Sequence, residues 1–126
     1  MVWSLLKIAF KEELIDNDLV VGEIKNELSL KPLPLLVQNE VDLLKSGGTK
    51  YSNAHVVKML HDARNFRKIG IVGTPCVLQA LKKISFYPLN KPFYDNIAIK
   101  IGIFCMESFD YEKTIEILKE EFQKTP

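Results

Sequence analysis

Val2, Leu5, Leu6, Ala9, Phe10 and Leu14 recur at helical spacing, so the chain opens directly in an amphipathic helix with no cap of its own, which points to upstream sequence. Asp16-Asn17-Asp18 reads as a turn, and Leu19-Val20-Val21 as a buried strand. Residues 23–34 read as loop, and Leu35-Leu36-Val37, after two prolines, as a second strand. Asn39 is placed to cap a short helix from Glu40 to Lys45 that stops at Ser46-Gly47-Gly48. A longer helix is predicted from Asn53 to about Phe66, turning Val56, Val57, Met59, Leu60 and Ala63 inward.

The second half repeats the alternation. Ile69, Ile71 and Val72 form a short apolar strand, followed by a helix from Pro75 to about Ile84. Residues 85–95 hold prolines and aromatic side chains without period, as a surface connection with aromatic anchors does. Ile97 to Phe104 is the last strand, with Cys105 at its end. Ser108 or Asp110 then caps a final helix in which Tyr111, Ile115, Leu118 and Phe122 share a face. Strands alternating with helices predict a three-layer α/β fold, with a mostly parallel sheet of about four strands covered by helices. No repeat divides the chain, so residues 1–126 are expected to form one α/β domain, a partial segment of something longer. In sheets of this kind ligands collect outside the carboxyl ends of the strands, and Cys76 and Cys105 both stand at such ends.

Composition narrows the choice of partner. Seventeen basic against sixteen acidic residues leave a formal charge of +1, which gives no overall field for nucleic acid or an anionic membrane. The apolar runs fall far short of the roughly 20 residues of a spanning helix, and no secretory leader is seen, so a cytoplasmic protein is expected. Two cysteines make neither a disulfide scaffold nor a complete four-ligand metal site.

Three stretches carry candidate chemistry. In Lys68 to Cys76 a strand runs into Gly73, a tight turn; Thr74, a helix cap; and Pro75, a first helical residue, which puts Cys76 in the first turn. The free N–H groups and positive dipole end of that turn suit an anion, so redox, metal and nucleotide roles all open there, beside the plain role of a helix cap. Phe104-Cys105-Met106-Glu107-Ser108 repeats the arrangement, which admits a shared metal centre or a reversible disulfide if the strands are neighbours. Ser46 to Ser52 offers glycines, the Lys50 cation and the Tyr51 ring to a phosphate or flavin, though without the spacing of a Walker loop or dinucleotide fingerprint. His55 and His61 lie on different faces of the predicted helix and form no ligand pair; no catalytic residue is assigned.

Four stretches of the chain together resemble the beta-subunit family of coenzyme F420 hydrogenases and dehydrogenases. They are the helix, Leu-Ile-Asp turn and strand from Phe10 to Val21; Gly48-Thr49-Lys50-Tyr51-Ser52; Val72 to Cys76; and Ile101 to Phe109. The resemblance implies an electron-transfer oxidoreductase domain holding FAD near a 4Fe-4S cluster, with coenzyme F420, a deazaflavin, or a related compound as acceptor. It implies Cys76 and Cys105 as cluster ligands, and Gly48, Thr49, Lys50, Tyr51, Gly73 and Thr74 as flavin-contacting turns. Family members carry a ferredoxin-like cysteine region before the first helix and further cysteines after the Phe-Cys-Met-Glu segment, and a glutamine where this chain has Val77. The missing ligands are therefore expected from flanking sequence, a ferredoxin-like domain or other oxidoreductase subunits, with a homo-oligomer also possible. Two further readings stand beside it: a non-catalytic nucleotide or flavin-binding module, and an inactive truncated remnant.

Overall fold

A computed structural model describes residues 1–23, 31–48, 50, 52 and 54–124. Four strands, β1 (Asn17–Glu23), β2 (Pro32–Val37), β3 (Ile69–Gly73) and β4 (Ile97–Gly102), form one sheet in the order β2-β1-β3-β4. β1 pairs with β3, and β3 with β4, in parallel; β2 runs antiparallel to β1. Helices α1 (Val2–Lys11) and α2 (Glu40–Leu43) cover one face. Helices α3 (Pro75–Ile84) and α4 (Lys91–Asp95), with 3₁₀ turns at Val56–Leu60 and Asp62–Asn65, cover the other. The result is the expected three-layer α/β architecture.

Period-two alternation in the strands divides the core. Leu19, Ile69, Ile71 and Ile97 project toward Val56, Leu60, Ala63 and Leu81. On the opposite face Val20 and Val37 meet Leu6 and Ala9 of α1, Ile15, and Leu43 of α2. Asn39 caps α2 as predicted, its Oδ1 accepting the Asp42 N–H at 2.9 Å.

Four local expectations are corrected. β2 begins at Pro32 and takes in both prolines; it is an edge strand, where a missing N–H breaks no interior ladder. The loop expected over 23–34 therefore shrinks, and residues 24–30 of it lie outside the described residues. Asn17 and Asp18, read as turn, already belong to β1. The helix expected from Asn53 is two 3₁₀ turns, with Asn53 itself outside the described residues; His55 and His61 are exposed on them. Within 85–95 the run Lys91–Asp95 winds into α4, whose Tyr94 ring carries the Lys100 ammonium 4.7 Å from its centroid.

Buried Asp18 stands out from this apolar interior. It is fully buried, and among the described residues neither of its carboxylate oxygens has a hydrogen-bond partner. Its neighbour across the ladder is Gly70, where a Cβ would stand 2.6 Å from Asp18 Oδ1, so the absent side chain makes room for the carboxyl. Desolvation pushes its pKa from 3.8 up to about 7; the Leu19 amide offsets part of that rise without reaching hydrogen-bond geometry.

Candidate functional site at the carboxyl edge of the sheet

Strand direction puts the chemistry-bearing residues at one edge. β3 ends at Gly73 and β4, in register beside it, at Gly102. The pairing continues past the ladder, since the Ile103 N–H donates to Gly73 O at 3.0 Å. Cys76 follows on the first turn of α3, and Cys105 on the segment leaving β4; both thiols are free and exposed. Two parallel strands thus deliver two cysteines to the same edge.

Thr74 occupies the cap position of α3 and Pro75 its first turn, but the Thr74 hydroxyl does not cap the helix. It lies 3.0 Å from Cys76 Sγ, while the Thr74 carbonyl accepts the Leu78 N–H. The tight-turn reading of Gly73 is replaced by a packing one. A Cβ at Gly73 would stand 2.7 Å from Val77 Cγ1, so glycine lets α3 start hard against the end of β3. A Cβ at Gly102 would come within 3.1 Å of Leu78 Cδ1, which gives the same close approach on the neighbouring strand.

The glycine turn is linked to the chain that leaves β4. Gly48 has φ +85°, a conformation that favours glycine, and Lys50 Nζ donates to Gly47 O at 2.6 Å. Ser52 forms a parallel bridge with Phe109, which ties the turn to the segment that carries Cys105. Thr49 and Tyr51 lie outside the described residues. Residues 103–110 therefore run as a strap, held by Gly73 at one end and Ser52 at the other. Just beyond it, the Tyr111 ring lies 6.0 Å from the Lys31 ammonium beside the start of β2. On this strap Cys105 is flanked by Phe104 and Met106, 102% and 97% exposed.

The donor set limits what this edge can hold. Among the described residues no group of three or more His, Cys, Asp or Glu side chains converges on one point, and two thiols are half of a 4Fe-4S ligand set. These residues do not by themselves fit a complete cluster. For a phosphate-bearing cofactor the types of group are suitable: a left-handed glycine turn, an ammonium and a helix start. Two clefts lie elsewhere, one between the 3₁₀ turns and α4 and one along the last helix. Among the described residues no helix is long and apolar enough to cross a membrane. Pattern reading put both cysteines just past strand ends; it gave Gly73 a tight turn and Thr74 a cap that the structure does not show, and it missed the strap and the Val77 contact, which no local sequence signal announces.

Comparison with known proteins agrees in order and extent. Residues 1–61 match the N-terminal family pattern, and residues 66–126 the C-terminal family pattern, of the coenzyme F420 hydrogenase/dehydrogenase beta subunit. An uncharacterized protein of Methanocaldococcus jannaschii is 39% identical over 96% of this chain and 35% of its own length. The coenzyme F420 hydrogenase subunit beta of Methanosarcina barkeri is 32% identical over 93% of this chain and 41% of its own. A chain of the F420-reducing [NiFe] hydrogenase complex from the same species superposes with a TM-score of 0.85 at 29% identity, covering 99% of this chain and 44% of that one. The chain spans less than half the length of these relatives. In sequence order, fold and extent of match, it belongs to the coenzyme F420 hydrogenase/dehydrogenase beta-subunit family.

Proposed function

We propose that this chain is the part of an electron-transfer oxidoreductase that seats a flavin beside an iron–sulfur centre, with the centre completed by another polypeptide or by flanking sequence. One observation carries the reading. Cys76 and Cys105, far apart in sequence, follow neighbouring strand ends joined by the Ile103–Gly73 hydrogen bond, and the Ser52–Phe109 bridge ties the chain after the Gly48 turn to the segment that carries Cys105. In this reading Gly48, Thr49, Lys50, Tyr51, Gly73 and Thr74 contact FAD, while Cys76 and Cys105 supply two ligands to a 4Fe-4S cluster. A flavin links one-electron carriers to two-electron hydride carriers, and coenzyme F420 is the acceptor the family suggests. The chain's own residues bind and orient: Lys50 supplies positive charge, the Gly48 turn backbone N–H groups, and the two strand ends the thiols. The proposed setting is the cytoplasm, as one α/β domain assembled with oxidoreductase partners.

Anaerobic reconstitution tests this, with the chain alone and with a candidate partner subunit. The expected result is a flavin absorbance band with the chain, and iron and sulfide only when the partner is present. Cys76→Ser and Cys105→Ser should each remove most of the iron while leaving flavin bound. The absence of any flavin or cluster signal in both preparations would sink the proposal. A second reading, a flavin or nucleotide-binding module without metal, is favoured by the absence of a third ligand-type side chain near the two thiols among the described residues. It predicts that both serine variants leave ligand binding and redox behaviour unchanged.

A further inference from the structure

α5 (Tyr111–Lys124) has no buried residue, although its sequence is that of a helix with a partner. Tyr111, Ile115, Leu118 and Phe122 follow one another at steps of four, three and four residues, the a/d spacing of a helix-pair seam. Tyr111 and Ile115 are half-buried, whereas Leu118 is 45% and Phe122 75% exposed, so the seam is left open along its second half. Glu112, Glu116 and Lys119 border Tyr111 and Ile115 along one side of the helix, on a surface open to solvent. An isolated helix of this length is marginal in water, and its stability must come from whatever closes the seam.

The charges beside the seam select the occupant. Glu112 and Lys119, seven residues apart, lie on the same flank; Thr114 and Glu121 lie on the other, where Glu121 is held by Lys124 of the same helix at 3.2 Å. In an antiparallel pair of identical helices each flank meets its own copy. Glu112 of one chain then faces Lys119 of the second, and Lys119 faces Glu112, giving two ion pairs across an uninterrupted apolar seam. A parallel pair would set Glu112 and Lys119 against Thr114 and Glu121, leaving Glu112 without a cation. The antiparallel arrangement also sets each helix's positive amino end beside the other's negative carboxyl end. We infer that α5 is a homodimerisation helix, pairing antiparallel with α5 of a second copy through Tyr111, Ile115, Leu118 and Phe122.

The seam is about 18 Å long at 1.5 Å per residue, so the pair should be reversible, as small interfaces are. Light scattering behind size exclusion, under reductant so that no disulfide contributes, should give two-chain mass at roughly 100 μM and approach one-chain mass on dilution to roughly 1 μM. Leu118→Lys should abolish the dimer while circular dichroism stays close to wild type, because α5 contributes to neither core cluster. Glu112→Lys should weaken pairing by about tenfold, a loss of about 1.4 kcal/mol, and adding Lys119→Glu should restore it. A chain that stays monomeric at the highest concentration overturns the inference, even if a different polypeptide then binds α5. So does a dimer indifferent to Leu118→Lys, or one weakened by Glu112→Lys that Lys119→Glu does not rescue. Loss of flavin or iron binding with the dimer intact would count against the proposed function alone.

Discussion

Asp18 sets the pH dependence of this fold. Its carboxyl titrates near 3.8 in the unfolded chain and at about 7 when buried, so between those values the folded chain holds the extra proton. Stability therefore falls as pH rises through that window and levels off above it, by on the order of 4 kcal/mol for a shift of about three units. Urea midpoints measured from pH 4 to 8 should decline for the wild type, and Asp18→Asn should flatten that decline. Equal slopes for the two proteins would show that the carboxyl is not the cause. Gly70 belongs to the same device. Gly70→Ala places a methyl 2.6 Å from Asp18 Oδ1 and should cost about 1–3 kcal/mol. Asp18→Ala should recover much of that loss, and a double-mutant cycle showing simple additivity would separate the two residues. None of this was legible in the sequence, because an aspartate after Asp16-Asn17 carries the composition of a turn. Its burial is imposed by the ladder that pairs it with Val37 and Gly70.

Among the elements, those whose pattern is local lie close to where that pattern puts them, although α1 stops at Lys11, short of Leu14, and β4 at Gly102, two residues before Phe104. α1, the α2 cap, β3, α3 and β4 follow from apolar period, cap residues and the Thr-Pro start. Elements decided by distant partners did not: β2 tolerates its prolines only because it lies at the sheet edge, and the 3₁₀ turns replace a predicted α-helix while still burying Val56, Leu60 and Ala63. The candidate site divides in the same way. Its cysteines and glycines were visible as strand-end residues, but the link between them runs through the β3–β4 register and the Ser52–Phe109 bridge, which have no local signature. α3 is where element and site touch. Its Val77 presses on Gly73, so Gly73→Ala should push the first turn outward, lowering stability by about 1–3 kcal/mol and shifting Cys76 with it. Val77→Ala should restore only part of the loss, since Val77 Cβ is itself 2.9 Å from the added methyl. Urea midpoints of the three variants check the order; full rescue or none would place the clash elsewhere.

Over the whole molecule, the cores and the site are held by different stretches of chain. Both hydrophobic clusters draw their members from residues 1–101, and the strap and α5 add none. The strap is tied down at Gly73 and Ser52, while between these ties Phe104 and Met106 stand fully in solvent. A chain built this way can lose the cover of its site and keep its fold. Limited chymotrypsin should therefore cut first after Phe104, leaving a fragment that keeps all four strands. That fragment's urea midpoint should correspond to a loss of no more than about 1 kcal/mol, since what is lost is one backbone tie and surface contacts. Mass spectrometry of the early digest identifies the cut, and circular dichroism of the isolated fragment reports the fold. Flavin or cluster bound at the carboxyl edge should slow the same cut by immobilising the strap around Cys105. Protection by cofactor with unchanged global stability would mark the strap as part of the site; a first cut inside residues 1–101 would show instead that the weak point lies within the cores.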